Sequence, residues 1–531
     1  MSRPDADEAT GPGGSSLQSG ADAAAQRPAA GGVARNTAIF SALTAVSRVA
    51  GLAREILASA FFGTSAAISA FTIAFAIPNT VRSLFADAAL SAAFVPVFTE
   101  LEEQGRRREA QRLAVTLALL MLGVLGVLTV VFIAVANIIV PPLVDGPLDS
   151  LTVGLSQVLF PIVLLLGVNG LAVGILNAQD HFTIPALSPV VWNVVIIGFL
   201  VAGHLAFDGD DEIYAYAVGI VVGTAVQLVM AVPVLRRMGF RIERPDWRDP
   251  RLKQVLLLML PVTIGLGLIN VNLLINSLVG ALVSEEAPSA IDRAFRLYML
   301  PQGIFSVAIA TVLFPALSRL ATRGDLGGLR SLLGGGIRQV LLLLVPAAVI
   351  SVVLAEPITR LVYERGAFDA ESTDQVAEAL LWFSLSLPLN GINLLLTRTF
   401  FSLQRPWFTA ALAGLNLVVN AAVSFALYEP FGIAGVVLGT TIANVVMAIG
   451  QARALRPLLG GRLEGAETLA AFLRIAGASL AMGAAAWGVW GVLDELAGRS
   501  LVAQLVSVGG GLVAGSVVYG LLVLALRVPE A

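Results

Sequence analysis

Hydrophobic positions in this chain fall in long uninterrupted blocks, and polar positions fall in the short stretches between them. Beyond residue 35, about fourteen apolar blocks are long enough to cross a bilayer as helices. The blocks cover approximately 36–62, 66–98, 112–138, 151–178, 185–206, 213–236, 251–282, 288–320, 328–355, 373–403, 407–428, 430–455, 467–492 and 500–527. We therefore predict an all-α polytopic membrane protein with about fourteen transmembrane helices.

Charge alternates from one polar stretch to the next. Basic residues follow the second, sixth, eighth, tenth and twelfth blocks, whereas the intervening stretches are acidic or neutral. Because positive charge collects in cytoplasmic loops, we expect both termini to be cytoplasmic. Residues 1–34 contain no apolar block and are rich in Gly, Ala, Ser and Asp, which predicts a disordered tail.

A weak internal repeat relates blocks that lie six apart. IPNTVRSLFADAALSAAFVPVFTEL in the second block is similar to LPQGIFSVAIATVLFPALSRL in the eighth, and NGLAVGILNAQDHF near the fourth to NGINLLLTRTFFSLQRPWF near the tenth. An even offset gives both copies one orientation, so we predict two parallel six-helix lobes with a substrate site between them. The predicted units are the tail at 1–34, an N-lobe at 35–240, a C-lobe at 241–457 and a C-terminal helix pair at 458–531.

Arginines occur inside apolar blocks, where a charge costs roughly 2.5–3.5 kcal/mol at the bilayer centre. They are Arg48, Arg54, Arg82 and Arg296. The first two blocks contain only Glu55 and Asp87 as acids, too few to neutralise three of these arginines. Some could snorkel to the headgroups, but the pattern favours a water-filled cationic cavity that receives an anion.

Composition excludes several other classes of protein. Of 531 residues, 57% are hydrophobic and 13% charged, and cysteine is absent, which excludes disulfides and thiolate metal sites. Lys253 is the only lysine and no phosphate-binding loop motif occurs, which excludes a P-loop ATPase. We expect no catalytic residues, metal, cofactor or nucleic-acid partner.

Three segments resemble motifs of the lipid II flippase family MurJ (MviN), in the multidrug/oligosaccharidyl-lipid/polysaccharide exporter superfamily. They are Ser47-Arg48…Gly51…Arg54 with Phe62-Gly63, Pro78-Asn79…Arg82…Phe85-Ala86 with Ala93-Phe94-Val95-Pro96, and Arg296-Leu297…Pro301…Gly303 with Phe314-Pro315…Leu317-Ser318. The resemblance covers essentially residues 36–527. It implies a carrier of undecaprenyl-diphosphate-linked muropeptide (lipid II) from the inner to the outer leaflet of the bacterial plasma membrane, in peptidoglycan synthesis.

The resemblance also implies roles for single residues. Arg48, Arg54, Arg82 and Arg296 would line the cationic cavity and bind the substrate, which agrees with the bidentate binding of diphosphate by guanidinium groups. Weaker candidates, as gate residues or charge partners, are Glu55, Asp87, Asn79 and Arg398. Membrane lipids and cell-wall synthesis proteins are candidate partners.

The last two blocks are rich in small residues, including Gly477, Gly509, Gly511 and Gly515. Close helix packing would explain them, but the resemblance favours a groove for the polyprenyl chain. On this interpretation, a bulky replacement at Gly511 reduces lipid binding more than stability.

The chain departs from the family pattern in its acids. Ser69 stands where an aspartate is usual, and Glu55 replaces a common aspartate. Blocks seven, eleven and twelve contain no carboxylate, so we do not expect a sodium site built on aspartate. Neutral oxygens of Asn416, Asn420, Thr440 or Asn444 remain alternative ligands. We expect Asp292, Arg293 and the acids of 363–375 to be solvated charges at the outer face.

Other functions remain as alternatives. A flippase or exporter of another polyprenyl-diphosphate-linked glycan would share this pattern. A MATE-like small-molecule antiporter would share the lobes but should hold acids in its cavity. An enzyme acting on polyprenyl-linked sugars needs paired catalytic groups on a large outward loop, whereas the outward loops of this chain are short and lack histidine. A non-transporting scaffold gives no reason for buried arginines.

Overall fold

The computed structural model describes residues 30–85, 88–144, 148–179, 181–461 and 463–528, without the side chains of 30–41, 82–85, 88–92, 260–262 and 264–269. All regular structure in these ranges is helical, which confirms the predicted class. The longer helices are α1 Ala30–Phe62, α2 Ala66–Phe85, α3 Ala88–Glu103, α4 Arg107–Ile139, α5 Leu148–Leu159, α6 Ile162–Ala178, α7 Thr183–Ala206, α8 Asp210–Arg237, α9 Pro250–Ala281, α10 Ala287–Pro301, α11 Val307–Arg323, α12 Leu326–Val353, α13 Ala355–Tyr363, α14 Ala370–Ser384, α15 Leu387–Ser402, α16 Pro406–Leu458, α17 Gly465–Ala497 and α18 Leu501–Ala525.

Nine helical segments within the described residues are long and apolar enough to span a membrane. Counting the pair α14–α15, which is bent by 45°, as one broken span gives ten. The chain is therefore a multi-pass membrane protein, while the count of about fourteen spans stays a prediction.

Proline and glycine interrupt several of these helices. Helix α10 ends at Pro301 and continues through a π-helical turn, Gln302–Ser306, into α11. Helix α16 bends at Gly432, whose φ of 55° and ψ of −134° are not helical, so α16 consists of two helical segments. Such breaks are tolerated in membranes where neighbouring groups satisfy the freed backbone.

Buried apolar side chains form separate clusters along the chain. Two clusters draw mainly on α1–α8, and the largest draws on residues between Val279 and Leu459. Helix α9 contacts both sets: Val255 packs with the N-terminal cluster, whereas Asn276 bonds to α16. We call α1–α8 the N-terminal half and α10–α16 the C-terminal half, with α9 between them.

The last two helices pack together and against α12. A Cβ at Gly511 would lie 2.8 Å from the Ala486 carbonyl oxygen, and one at Gly515 would lie 3.0 Å from that of Met482. These glycines therefore serve close packing of α17 on α18, and the interpretation of Gly511 as a groove residue is wrong. Two ion pairs tie α17 to the C-terminal half, Arg338–Glu464 at 2.9 Å and Arg360–Asp494 at 3.0 Å.

Candidate functional site: a charged cavity between the halves

A cavity of about 390 Å³ lies where α1, α2 and α8 meet α9 and α10. Aromatic, amide and charged side chains line it, including Phe71, Phe75, Asn79, Tyr216, Asn270, Glu55, Asp292, Arg293 and Arg296. Both halves contribute charged groups, so the cavity has the location that the repeat predicted for the substrate site.

Glu55 links arginines from the two halves. Its carboxylate accepts a hydrogen bond from Arg54 on α1 at 2.5 Å and forms an ion pair with Arg296 on α10 at 3.1 Å. Arg296 also donates through Nε to Asp292 at 2.8 Å. The Arg54 guanidinium lies over the Trp192 ring, 4.8 Å from its centroid. The buried carboxylate of Glu55 therefore forms ion pairs with both Arg54 and Arg296, in a low-dielectric environment where ionic contacts are stronger than in water.

The described charges of this cluster do not cancel. Arg54, Arg293 and Arg296 carry three positive charges, and Glu55 and Asp292 carry two negative charges, so the excess is one positive charge. A buried excess charge is costly unless a ligand or water compensates it. The cluster is therefore suited to an anion.

Arg293 is buried between the halves. Only 4% of its surface is exposed, its Nε donates to Ser59 Oγ at 2.8 Å, and its guanidinium lies 5.7 Å from the Phe368 ring centroid. Asp292 lines the cavity beside Arg296. The expectation that Arg293 is a solvated charge at the outer face is therefore wrong, because α10 turns its side chain inward against Ser59 of α1. Asp292 keeps 33% of its side chain exposed and lines the cavity.

Hydrogen bonds join the two halves next to Arg293. Thr64 Oγ1 and Ser372 Oγ are 2.9 Å apart, Ser289 Oγ donates to the Thr64 carbonyl oxygen at 3.2 Å, and the Ala367 amide donates to the Ala60 carbonyl oxygen at 2.7 Å. We call the contact of residues 59–69 with residues 289–293 and 365–372 the outer interface, because the charge pattern predicts that it faces outward. Ile68 and Arg293 belong both to this interface and to the cavity lining, so the interface borders the cavity.

Two glycines with positive φ allow this approach. Gly63 has a φ of 57° and Gly366 a φ of 61°. A Cβ at Gly63 would lie 2.5 Å from the Ala367 carbonyl oxygen, whereas one at Gly366 would clash with the Ala60 carbonyl oxygen. The loop at 363–375 is thus part of an interface and not only a solvated face. Glu364 there accepts a hydrogen bond from Thr373 at 2.8 Å.

The other predicted site residues lie in different surroundings. Asn79 lines the cavity and donates to Asn270 at 3.0 Å. Arg48 is exposed on α1 and does not line the cavity. Arg398 lies near the Phe314 ring, 5.4 Å from its centroid, away from the cavity lining. The side chain of Arg82 and all of Asp87 lie outside the described residues.

Sodium would need oxygen ligands, and α9 and α16 carry the polar residues that could supply them. No group of three or more His, Cys, Asp or Glu residues suited to a metal occurs among the described residues. The side chains at this place are asparagines, a serine and a threonine that bond to one another. The charged cavity does not include Asn416, Asn420, Thr440 or Asn444.

Comparison with known proteins decides the family. The sequence profile described as "Lipid II flippase MurJ" matches residues 58–506, most of the chain. The chain belongs to the MurJ family. The resemblance found in the three motifs is thereby confirmed, and the family is named for transport and not for catalysis.

Individual MurJ relatives agree. The chain is 34% identical to "Lipid II flippase MurJ" of Burkholderia cenocepacia, over 65% of this chain and 69% of the relative. It is 32% identical to "Probable lipid II flippase MurJ" of Rhizobium meliloti, over 76% of this chain and 77% of the relative.

Solved structures support the MurJ fold. "Lipid II flippase MurJ, inward closed conformation" matches with a TM-score of 0.74 at 22% identity, over 92% of this chain and 99% of that chain. An inward-facing multidrug resistance MATE family transporter matches with a TM-score of 0.67 at 16% identity, over 79% of this chain and 97% of that chain. At these identities the likeness shows the fold alone.

Proposed function

We propose that this chain is a lipid II flippase that moves undecaprenyl-diphosphate-linked muropeptide from the inner to the outer leaflet of the bacterial plasma membrane. The observation that carries the proposal is the pair of arginines, Arg54 and Arg296, which meet from opposite halves at Glu55 beside a cavity. Membership of a family whose members are named lipid II flippases supports the choice of cargo.

The diphosphate of the cargo competes with Glu55 for the arginines. It offers several anionic oxygens, and a guanidinium group binds such oxygens through two parallel hydrogen bonds. Arg296 is the accessible partner, since 39% of its side chain is exposed, against 10% for Arg54. We infer that the diphosphate first binds Arg296 and then displaces Glu55 from it. Substrate binding by Arg48 and Arg82 stays a prediction from the sequence, and Arg48 does not line this cavity.

Transport proceeds by alternating access. The outer interface borders the cavity, so in this proposal cargo enters from the opposite side, and release outward requires the hydrogen bonds at Thr64 and Ala367 to break. In this proposal the entry side, both termini and the loop at Gly105 are cytoplasmic, which the positive-inside pattern of the sequence supports. A cysteine introduced at Gly105 that is labelled only from outside intact cells would contradict this orientation.

The lipid tail lies along the last helix pair in this proposal. Leu512, Val513, Ser516 and Val517 border a shallow surface depression on α18, and Val513 and Val517 are more than half exposed. An exposed apolar face of this kind is compatible with a polyprenyl chain in the bilayer.

The test is flipping of fluorescent lipid II by the purified chain in proteoliposomes, measured by an impermeant quencher. Arg54→Ala and Arg296→Ala should abolish flipping, and Arg296→Lys should impair it because a point charge lacks the planar fork. Arg338→Ala is the matched control, since it removes an ion pair remote from the cavity. Unchanged flipping in the Arg54→Ala/Arg296→Ala double variant would refute the proposal. Equal flipping of other polyprenyl-diphosphate-linked glycans would show a broader exporter.

A further inference from the structure

Asparagine side chains recur every four residues on α9 and α16, two helices that pack against each other. Asn272 and Asn276 are four residues apart on α9. Asn416, Asn420 and Ser424 follow the same spacing on the first segment of α16. Residues four apart share one helix face, so each helix presents a polar stripe. Thr440 and Asn444 do the same on the second segment of α16.

These side chains form one hydrogen-bonded network, which we call the amide cluster. Asn420 is fully buried and donates to Asn272 Oδ1 at 2.5 Å and to Asn276 Oδ1 at 2.9 Å. Asn272 donates to Asn416 Oδ1 at 3.4 Å, and Asn416 donates to Asn444 Oδ1 at 3.3 Å.

The hydroxyl groups complete the network. Thr440 donates to Asn420 Oδ1 at 3.2 Å, and its Oγ1 accepts from Asn276 at 3.0 Å. Ser424 Oγ lies 3.4 Å from Asn420 Oδ1, and it donates to the Val436 carbonyl oxygen at 2.9 Å. Every amide oxygen of the five asparagines therefore already accepts a hydrogen bond. Four of these five amides, those of Asn272, Asn276, Asn416 and Asn420, also donate an N–H group to a neighbouring oxygen.

This arrangement does not suit a sodium ion. A cation would have to replace N–H donors at the oxygens, and the displaced amide groups would point their own positive ends at it. The cluster contains no carboxylate, so the charge of a buried ion would stay uncompensated. One buried oxygen nearby, Asn393 Oδ1, makes no hydrogen bond, but its amide nitrogen donates to the Asn444 backbone carbonyl oxygen at 3.1 Å. A single neutral oxygen does not form a cation site.

We propose that the amide cluster is an uncharged hydrogen-bonded lock that couples α9 to α16, and that this chain holds no sodium ion there. Interhelical hydrogen bonds between polar side chains join helices in membranes, where water does not compete for them. Helix α9 also packs against the N-terminal half, through Val255. The lock therefore determines that the end of α9 near Asn276 stays with the C-terminal half. The proposal does not rest on the identity of the cargo.

The first experiment measures the thermal unfolding of the purified full-length chain in sodium chloride, potassium chloride and choline chloride at equal ionic strength. The expected result is the same Tm in all three salts. A Tm that rises in sodium alone would overturn the absence of a sodium site. Asn420→Asp is the positive control: it places a carboxylate against the oxygens of Asn272 and Asn276, so its Tm should fall in choline and recover in sodium.

The second experiment tests the lock. Asn420→Leu should lower Tm because it leaves the oxygens of Asn272 and Asn276 without donors. Asn169→Leu is the matched control, because Asn169 is also buried on an apolar helix, but its Oδ1 makes no hydrogen bond. An equal or smaller fall for Asn420→Leu than for Asn169→Leu would overturn the lock. Both readouts concern stability, so neither depends on whether lipid II is the cargo.

Discussion

Gly366→Ala should open the outer interface. Gly366 has a φ of 61°, and an added Cβ would clash with the Ala60 carbonyl oxygen. That oxygen accepts the 2.7 Å hydrogen bond from the Ala367 amide, which links the two halves. The methyl group therefore forces the loop away from α1 and removes this hydrogen bond.

The magnitude has two parts. A left-handed conformation costs a non-glycine residue about 1–2 kcal/mol, but this cost applies whether the interface is open or closed. The lost hydrogen bond contributes about 0.5–1.5 kcal/mol to the closed state only. That difference corresponds to roughly a two- to thirteenfold rise in the ratio of open to closed molecules. The clash of the added methyl group with the Ala60 carbonyl oxygen destabilises the closed state further.

Maleimide labelling of a single cysteine measures the opening, because the chain has no native cysteine. Ser69→Cys places the probe at a position with no exposed surface between the halves. In detergent, Gly366→Ala should raise its labelling rate by the same factor as the open population. Gly105→Ala is the matched control, with a φ of 72° and nothing within 4 Å of the added Cβ. Equal labelling rates in the two variants would refute the role of this contact.

Four further outcomes are expected. Gly511→Ala should lower Tm, because the added Cβ would lie 2.8 Å from the Ala486 carbonyl oxygen. Gly509→Ala should leave Tm unchanged, because nothing lies within 4 Å of its added Cβ, and equal effects of the two variants would contradict close packing at Gly511. Val517→Trp should slow flipping at unchanged Tm if the exposed α18 face contacts the polyprenyl chain. Glu55→Gln should bind lipid II more tightly yet flip it more slowly, measured as Kd and initial rate, because both arginines lose their internal partner. Collapsing the membrane potential at fixed sodium and proton gradients should slow flipping, because outward movement of an anion gains about 2.3 kcal/mol per charge per 100 mV; an unchanged rate would indicate ion coupling.

The helices and the paired arginines could be predicted because they depend on local properties. Apolar block length determines whether a helix can span a bilayer, and an arginine inside such a block needs a partner wherever it lies. Glu55 was therefore a predictable partner of Arg54. Its second bond, to Arg296, depends on how two segments far apart in sequence approach each other, and only the repeat hinted at it.

The outer interface was not predicted, and the amide cluster was predicted only in part, as a set of neutral oxygens on α16, because their sequence signals are ambiguous. Arg293 near a predicted span end is compatible with solvation, and only the orientation of α10 buries it against Ser59. Gly63 and Gly366 could be predicted as turn glycines, but a turn glycine does not indicate which other segment it contacts. The four-residue spacing of Asn272 and Asn276 was the signal that could have extended the cluster to α9.

Glu55 has a consequence for the empty carrier. A cavity built only of arginines would hold a strong positive charge after each release, and small anions from either side would fill it. Here the protein carries its own counterions, Glu55 and Asp292, so the described cluster keeps one excess positive charge instead of three. In the proposed cycle the empty carrier therefore attracts fewer small anions than arginines alone would, which limits an anion leak across the membrane during the reset step.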